Sequence, residues 1–128
     1  MSAAAQNLMQ QWAIANNIPQ SEELGAGRLA ITIDRVRVHL LTLRSSEILV
    51  EARVRDLPSA PIEQNQLLQK ALALSTARMS EVSVSPVVDE AATLLKLQAR
   101  VSPVATADEL DKTVSMVVNE VEFWRGML

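Results

Sequence analysis

The sequence predicts an α+β fold in which helices flank an antiparallel sheet, in the order α-β-β-β-α-β-β-α. Apolar residues recur at helical spacing near both ends and in the middle of the chain. Between these helices they recur at every second position, which is typical of strands with one buried face. Because 128 residues is the length of one ordinary domain, we expect residues 1–128 to form a single core.

The first helix is predicted over residues 3 to 17, where the apolar side chains share one side. They are Ala5, Leu8, Met9 and Trp12. Two asparagines and Pro19 end this helix. The polar stretch that follows, with Gly25 and Gly27, is expected to be a loop.

A three-strand meander follows from Arg28 to Arg55, with turns at Asp34-Arg35 and Ser45-Ser46. The inward residues are Leu29, Ile31 and Ile33, then Val36, Val38, Leu40 and Thr42, then Ile48, Val50, Ala52 and Val54. The alternating residues in between are more polar, so the meander is expected to leave one face in water.

The middle helix is predicted from Ile62 to Met79, after the good helix-start residues Ser59 and Pro61. Its apolar arc comprises Leu67, Leu68, Ala71, Leu72, Leu74, Ser75 and Met79. The arc spans roughly 160°, whereas packing on one sheet needs a stripe of about 100°. The excess predicts a helix that contacts both its own sheet and a partner.

Two more strands and a last helix complete the fold. Val82 and Val84 predict a strand before Pro86, which belongs at a sheet edge or bulge because proline cannot donate a ladder hydrogen bond. Asp89-Glu90 turns the chain into a strand with Leu95, Leu97, Ala99 and Val101 inward. A capping box from Thr106 to Glu109 begins the helix. Its buried stripe is Leu110, Val114, Val117, Val118, Val121 and Trp124.

Charge and aromatic content argue against nucleic acid as a partner. The net charge is −3, from 12 basic and 15 acidic residues that are well mixed. Trp12, Phe123 and Trp124 are the aromatic residues, and none lies in a predicted strand where bases could stack. Residues 1–11 lack the basic and apolar regions of a signal peptide, and no segment reaches the ~20 apolar residues of a membrane span. We therefore expect a cytoplasmic protein without membrane insertion.

Catalytic and cofactor motifs are missing from the sequence. His39 is the single histidine and there is no cysteine, so neither a nucleophile–base pair nor a metal site is predicted. The segment from Gly25 to Ala30 matches a dinucleotide motif superficially, but it follows a helix and opens a strand, which is the reverse of the required context. We expect no enzyme activity and no cofactor.

Several surface features could serve binding. Outward strand positions carry a basic stripe of Arg37, Arg53, Arg55 and Arg100, which is interpreted as a solvated face or an anion site. The last helix carries Met116, Phe123 and Met127 away from its main stripe. This patch fits either an adaptable partner contact or packing under a loop or the first helix.

The arrangement resembles the class I type III secretion chaperones, the CesT and SycE group, over nearly the whole chain. The resemblance is carried by the meander from Leu29 through Ala52, the segment Leu67 to Leu74 and the hairpin strand Leu94 to Val101. Within that family it is nearest to the chaperones that serve the secreted gatekeeper protein as heterodimers. The family often has glycine in the meander turns, which this chain lacks.

The resemblance implies a dimer, with identical or different halves, that binds a non-globular segment near the N-terminus of a secreted effector or gatekeeper protein. By family analogy, the dimer interface would include Leu67, Ala71, Leu74 and Arg78. Substrate would contact Leu8, Met9, Trp12, Leu41, Leu43 and Leu49, and would add a strand at a sheet edge. The main rival is a roadblock-like or profilin-like dimeric scaffold that regulates a GTPase, which normally has three strands after its middle helix.

Overall fold

The computed structural model describes residues 3–19, 23–25 and 27–128. Its elements are α1 (Ala3–Ala15), β1 (Glu23–Gly25), β2 (Arg28–Ile33), β3 (Val36–Thr42), β4 (Ile48–Asp56), α2 (Pro61–Arg78), β5 (Ser85–Val88), β6 (Leu94–Val101) and α3 (Ala107–Met127). The strands of the described chain form one antiparallel sheet in the order β1-β2-β3-β4-β6-β5. The predicted α+β fold is confirmed, with one correction. Residues 23–25, expected to be a loop, pair with Leu29 and Arg28 as a short edge strand.

The meander turns achieve without glycine the backbone conformations that glycine usually supplies. Asp34 and Arg35 both have positive φ, at 49° and 67°, and Ile33 pairs with Val36 across them. This is the two-residue hairpin turn whose twist matches that of the strands. In the next loop Ser46 has a φ of 74°, and its N–H donates to the carbonyl of Leu43 at 3.0 Å. Both registers are therefore defined by tight turns.

The hydrophobic core lies between one face of the sheet and the helices α1 and α3. Alternate residues of β2, β3, β4 and β6 point into it, as predicted. Trp12 and Trp124 are the largest fully buried side chains. The indole of Trp12 donates to the Asp111 carboxylate at 3.0 Å, so α1 and α3 are joined by a hydrogen bond as well as by packing.

Helix α3 is secured at both ends. Its N-cap Thr106 accepts the Glu109 backbone N–H at 3.1 Å, which satisfies one of the free donors of the first turn. Near the other end, a β-bulge at Val54 interrupts the pairing of β4 with β6. The Arg125 guanidinium donates to the carbonyls of Val54 at 2.7 Å and Arg53 at 2.9 Å, and so ties the end of α3 to this bulge.

The strand predicted at Val82 and Val84 is wrong in position, because β5 begins at Ser85. The Val82 N–H instead donates to the Arg78 carbonyl at 3.1 Å and extends the end of α2. Pro86 lies in β5 at the edge of the sheet, which confirms its predicted position. The turn at Asp89 is confirmed too. Its carboxylate accepts hydrogen bonds from the Thr93 hydroxyl and the Leu94 N–H, which lower the pKa of Asp89.

Replacing Arg35 with glycine should stabilise the fold. Arg35 has a positive φ, which costs a residue with a Cβ roughly 1–2 kcal/mol. Part of that relief is lost because glycine is freer in the unfolded chain, so we expect a net gain of about 0.5–1 kcal/mol in the free energy of unfolding. Urea denaturation measures it. The control is Arg44→Gly, where φ is not positive and the same change should destabilise; equal effects at both positions would contradict the turn geometry.

Candidate interaction surfaces

Helix α2 is only lightly attached to the rest of the chain. Its buried residues are Leu67 and Ala71, while Leu74 packs partly against the core. Arg78 lies on the same side of the helix and pairs with α3. The four residues predicted for a dimer interface are thus turned towards their own protomer. Leu67 and Ala71 are buried within the single chain, and a dimer interface that includes these four residues stays a prediction.

A second side of α2 presents apolar residues to solvent. Leu72 is 67% exposed and Met79 is 69% exposed, while Leu68 is half-buried beside them. These three residues, here called the α2 stripe, follow one another at spacings of four and seven, so they share one face of the helix. Exposed large side chains in a contiguous row are typical of a protein–protein contact.

Glu120 on α3 holds the C-terminal end of α2 through Arg78, a role that was not predicted from the sequence. Its side chain is buried at 3% exposure. Arg78 donates to both carboxylate oxygens, at 2.8 and 2.9 Å, and the Trp124 indole donates to one of them at 3.2 Å. The Arg78 hydrogen bonds are the main cause that lowers the pKa of Glu120, and they raise the pKa of Arg78. The signal was present in the sequence, since Glu120 stands three residues after Val117 and four before Trp124, within the apolar stripe.

The predicted partner patch of α3 is divided in the structure. Met116 packs against the core, and Phe123 lies under the Arg78 guanidinium, with 4.6 Å between the charge centre and the ring centroid. Met127 remains largely exposed. Phe123 is still 41% exposed, so Phe123 and Met127 both remain accessible to a partner, and the patch stays a prediction.

The three α1 residues predicted to face substrate are core residues in this structure. Leu8, Met9 and Trp12 are all buried, and the Thr42 hydroxyl contacts the Met9 sulfur at 3.7 Å. Their periodicity was interpreted correctly as an apolar face, but the face packs on the sheet. The Trp12 side chain also lines the groove between α1, β2 and α3. A substrate contact at Leu8, Met9 and Trp12 stays a prediction.

A groove of about 640 Å³ opens between α1, β2 and α3. Its walls combine apolar and amide side chains with the carboxylates of Asp34 and Asp111. They include Ile18, Ile31, Ile33, Asn16, Asn17 and Asn119. Within the described residues β1 pairs only with Arg28 and Leu29, so the Ile31–Ile33 edge of β2 carries no described strand. Because Ile33 and Val36 close a two-residue turn, the backbone N–H and C=O of Thr32 point away from β3 and towards this edge.

The outer face of the sheet holds the remaining predicted residues. Leu41 and Leu43 are half-buried there, and Leu49 is buried beside Leu41, its register partner, with 8% of its surface exposed. The predicted basic stripe is exposed: Arg37, Arg53, Arg55 and Arg100. Arg100 lies 3.5 Å from Glu47, while Arg55 donates to backbone carbonyls. The face therefore combines an apolar pair with cations.

Two features are absent from the part of the chain that the structure describes. None of its clusters of histidine or carboxylate side chains has an arrangement that could hold a metal ion. None of its helices combines the length and the apolar composition that crossing a membrane requires.

Comparison with known proteins places the chain in a family. The model of the Tir chaperone protein (CesT) family matches residues 7–125. The chain therefore belongs to the CesT family of type III secretion chaperones, and the resemblance predicted from the sequence is confirmed. No curated protein matches it.

Solved structures share its fold at low identity. A chain of the ExsC–ExsE complex is 21% identical with a TM-score of 0.72, over 100% of this chain and 97% of that one. A chain of the HopA1–SchA chaperone–effector complex is 16% identical with a TM-score of 0.70, over 96% and 94%. The structure of the Yersinia pestis type III secretion chaperone SycH in complex with a stable fragment of YscM2 has a TM-score of 0.63 at 18% identity. The match covers 94% of this chain and 98% of that one.

Replacing Glu120 with glutamine should destabilise the protein in a pH-dependent way. At neutral pH we expect a loss of about 1–3 kcal/mol in the free energy of unfolding, because a charge-assisted hydrogen-bond acceptor is removed from a buried position. The folded-state pKa of Glu120 lies below its ordinary value of 4.5. Its stabilising contribution is therefore present above that value and is lost as the pH falls through the folded-state pKa.

Denaturation of the parent protein and of the Glu120→Gln variant from pH 7 to pH 3 measures the difference in their free energies of unfolding. This difference should become smaller as the pH falls. The matched control is Glu122→Gln, on the exposed side of the same helix, which should stay within about 0.5 kcal/mol of the parent protein. A constant difference across the pH range would show that the carboxylate charge has no part in the effect.

Proposed function

We propose that the chain acts in the bacterial cytoplasm as a single chaperone domain over residues 1–128, binding the N-terminal non-globular segment of a type III secreted protein and keeping it competent for export. Membership of the CesT family supports the class of activity. Similar folds are known in complexes, one of them named as a chaperone with its effector. The observation that carries the proposal is the groove beside the open edge of β2.

The groove suits an extended polypeptide for two reasons. The outward N–H and C=O groups of Thr32 can pair with the backbone of an added strand. Such backbone hydrogen bonds contribute affinity whatever the amino-acid sequence of the bound segment. The side chains of that strand would alternate, and every second one would enter the apolar wall formed by Ile31, Ile33 and Ile18. The apolar pair Leu41 and Leu49 on the outer face, with Leu43 beside it, provides a second contact for a segment that continues around the β2 edge.

The α2 stripe is proposed as the dimer contact. A single chain leaves Leu72 and Met79 in water, and burying such side chains contributes roughly 1.5–3 kcal/mol each. Leu67, Ala71, Leu74 and Arg78 then have a supporting role, because they hold α2 against its own protomer. The stripe can pair with a second copy or with a different small chaperone, so both homodimer and heterodimer follow from it.

The secreted protein is an effector or a gatekeeper, and the resemblance to the YscB and SycN gatekeeper chaperones stays a prediction. We propose no catalytic role and no cofactor. Two strands follow α2 in the described chain, whereas a roadblock-like scaffold normally has three, and this difference favours the chaperone.

Replacing Leu72 with aspartate should separate the dimer while leaving the fold intact. The exposed side chain contributes little to the single chain, but in the contact an unpaired carboxylate would be buried. Light scattering should show the mass of one chain, with unchanged circular dichroism. Ile62→Asp is the control, since Ile62 is 74% exposed on a different side of α2 and should keep the parent mass. An unchanged mass for the Leu72 variant would exclude the stripe.

Replacing Thr32 with proline should abolish capture of the secreted protein. Proline removes the outward N–H that an added strand needs, but no hydrogen bond between β2 and β3. A tagged pull-down from the cytosol of the bacterium that encodes the chain, read by mass spectrometry, identifies the captured protein. Thr32→Val is the control, because it keeps the N–H and lacks only the hydroxyl.

Three results of this pull-down are distinguishable. Capture by the parent and the valine variant but not the proline variant supports strand addition at β2. Equal capture by all three would contradict that binding mode, although a captured secreted protein would still establish a chaperone. Capture of a GTPase in place of a secreted protein would overturn the proposed function.

A further inference from the structure

The outer face of the sheet carries a row of mixed apolar and cationic side chains near the β3–β4 hairpin. Strand register pairs Leu41 with Leu49, and places Arg28 beside Leu41 and Arg100 beside Leu49. The two leucines thus lie side by side between two arginines. An apolar side chain that packs on this row would lie close to the guanidinium groups of Arg28 and Arg100.

A second row, more strongly cationic, runs parallel to the first. Arg37, Arg53 and Lys96 come from three adjacent strands, four residues along each strand from the first row. At about 3.3 Å per residue, the two rows are about 13 Å apart. The three cations line a depression of about 200 Å³, together with His39, Glu51 and Leu94.

The positive charge of this depression is only partly neutralised. The Glu51 carboxylate is already used by Lys96 at 3.0 Å and by the Gln98 amide at 2.6 Å. Arg53 pairs with Asp56, which is exposed at the rim. Arg37 donates to the Thr32 hydroxyl at 3.2 Å, and among the described residues no carboxylate pairs with it. Three cations therefore face two carboxylates, in a chain whose net charge is −3.

We infer that the outer face of the sheet binds an acidic polypeptide segment. A carboxylate of the segment pairs with Arg37 and Arg53. An apolar side chain packs on the Leu41–Leu49 pair, and it lies about four residues away from the carboxylate, because four extended residues span the ~13 Å between the rows. This inference deepens the proposed function and rests on it, since the segment belongs to the secreted protein.

The same face is a poor match for nucleic acid. Glu47, Glu51 and Asp56 lie among its cations and would repel a regular chain of phosphates. The aromatic residues of the protein lie on helices, so the face offers no stacking partner for bases. An apolar row beside a cationic row complements an amphipathic peptide better than a uniformly charged polymer.

His39, the only histidine in the chain, reports on this site from within the depression. Burial is the main cause that lowers the pKa of His39; Glu51 on β4 raises it, while Arg37 on β3, Lys96 on β6 and Arg28 on β2 lower it. Arg53 also lines the depression. A carboxylate bound against these cations adds negative charge near the imidazole, so binding should raise the pKa of His39.

The test uses a blocked twelve-residue peptide with a leucine four residues before a Glu-Glu pair, compared with the same peptide carrying Gln-Gln. Titration of the His39 ring signals by NMR gives both the affinity and the pKa. We expect the glutamate peptide to raise the pKa of His39 and to bind about tenfold more tightly than the glutamine peptide. Its affinity should fall between ~0.05 M and ~0.5 M salt, because exposed ion pairs are screened.

Matched variants locate the site. The double variant Arg37→Gln with Arg53→Gln should weaken the glutamate peptide about tenfold. Arg44→Gln with Lys112→Gln removes the same net charge elsewhere and should leave the affinity within a factor of about two. Equal binding of both peptides, or equal loss in both double variants, would overturn the inference.

Two further outcomes are decisive. A twelve-nucleotide single-stranded DNA that binds as tightly as the glutamate peptide would show a general polyanion site and overturn the acidic-peptide assignment. Capture of a secreted protein that depends on Thr32 but is unaffected by the Arg37 and Arg53 double variant would overturn this inference alone. If the parent protein captured no secreted protein, the proposed function itself would be overturned.

Discussion

The C-terminal end of α2 is held by one interaction, the pairing of the buried Glu120 carboxylate with Arg78. A buried carboxylate without a partner is strongly unfavourable, so α3 requires a cation at this point. The only residue of α2 close enough to supply it sits in the last turn of that helix. At the other end of α2 the Gln64 amide donates to the carbonyls of Pro58 and Ala92, and Leu67 and Ala71 pack on the core between the two ends. Together these contacts set the orientation of the helix. The direction in which Leu72 and Met79 face follows from this orientation.

The two faces of the sheet have different roles. One face is covered by α1 and α3 and holds the core, including both tryptophans. The other face is left to solvent and carries charged rows with a small apolar pair. Because side chains alternate along every strand, each strand contributes to stability and to surface chemistry at the same time. A substitution on the outer face can therefore change binding while the core stays closed.

Sequence reasoning predicted the fold well because the periodic segments are long and the core is continuous. The alternation in β3, β4 and β6 and the stripe of α3 matched the buried residues closely. The strand at Val82 was misplaced because alternation over three residues cannot distinguish a strand from the end of a helix. Strand β1 was missed for a similar reason, since three residues, one of them a glycine, carry little pattern.

The candidate surfaces were less predictable than the fold. Periodicity showed that Leu8, Met9 and Trp12 share a face, but it could not show that the sheet covers that face. The arc of α2 was correctly seen to be too wide, yet only three-dimensional packing shows which part stays exposed. Glu120 was not predicted to be buried, because its position within the apolar stripe does not show which cation, distant in sequence, would pair with it. Local pattern gives the elements, and contacts distant in sequence decide how each surface is used.

Contacts between residues distant in sequence also constrain the order in which the protein can fold during synthesis. The Trp12 indole meets Asp111 across 99 positions of sequence, and the Arg125 guanidinium reaches the Arg35 carbonyl across 90. Neither contact can form while α3 is still within the ribosome, so the nascent chain exposes its meander without the helix that covers it. Folding must then bring remote segments together, which is slower than forming local contacts. The protein is therefore vulnerable to aggregation during its own synthesis, until its final helix arrives.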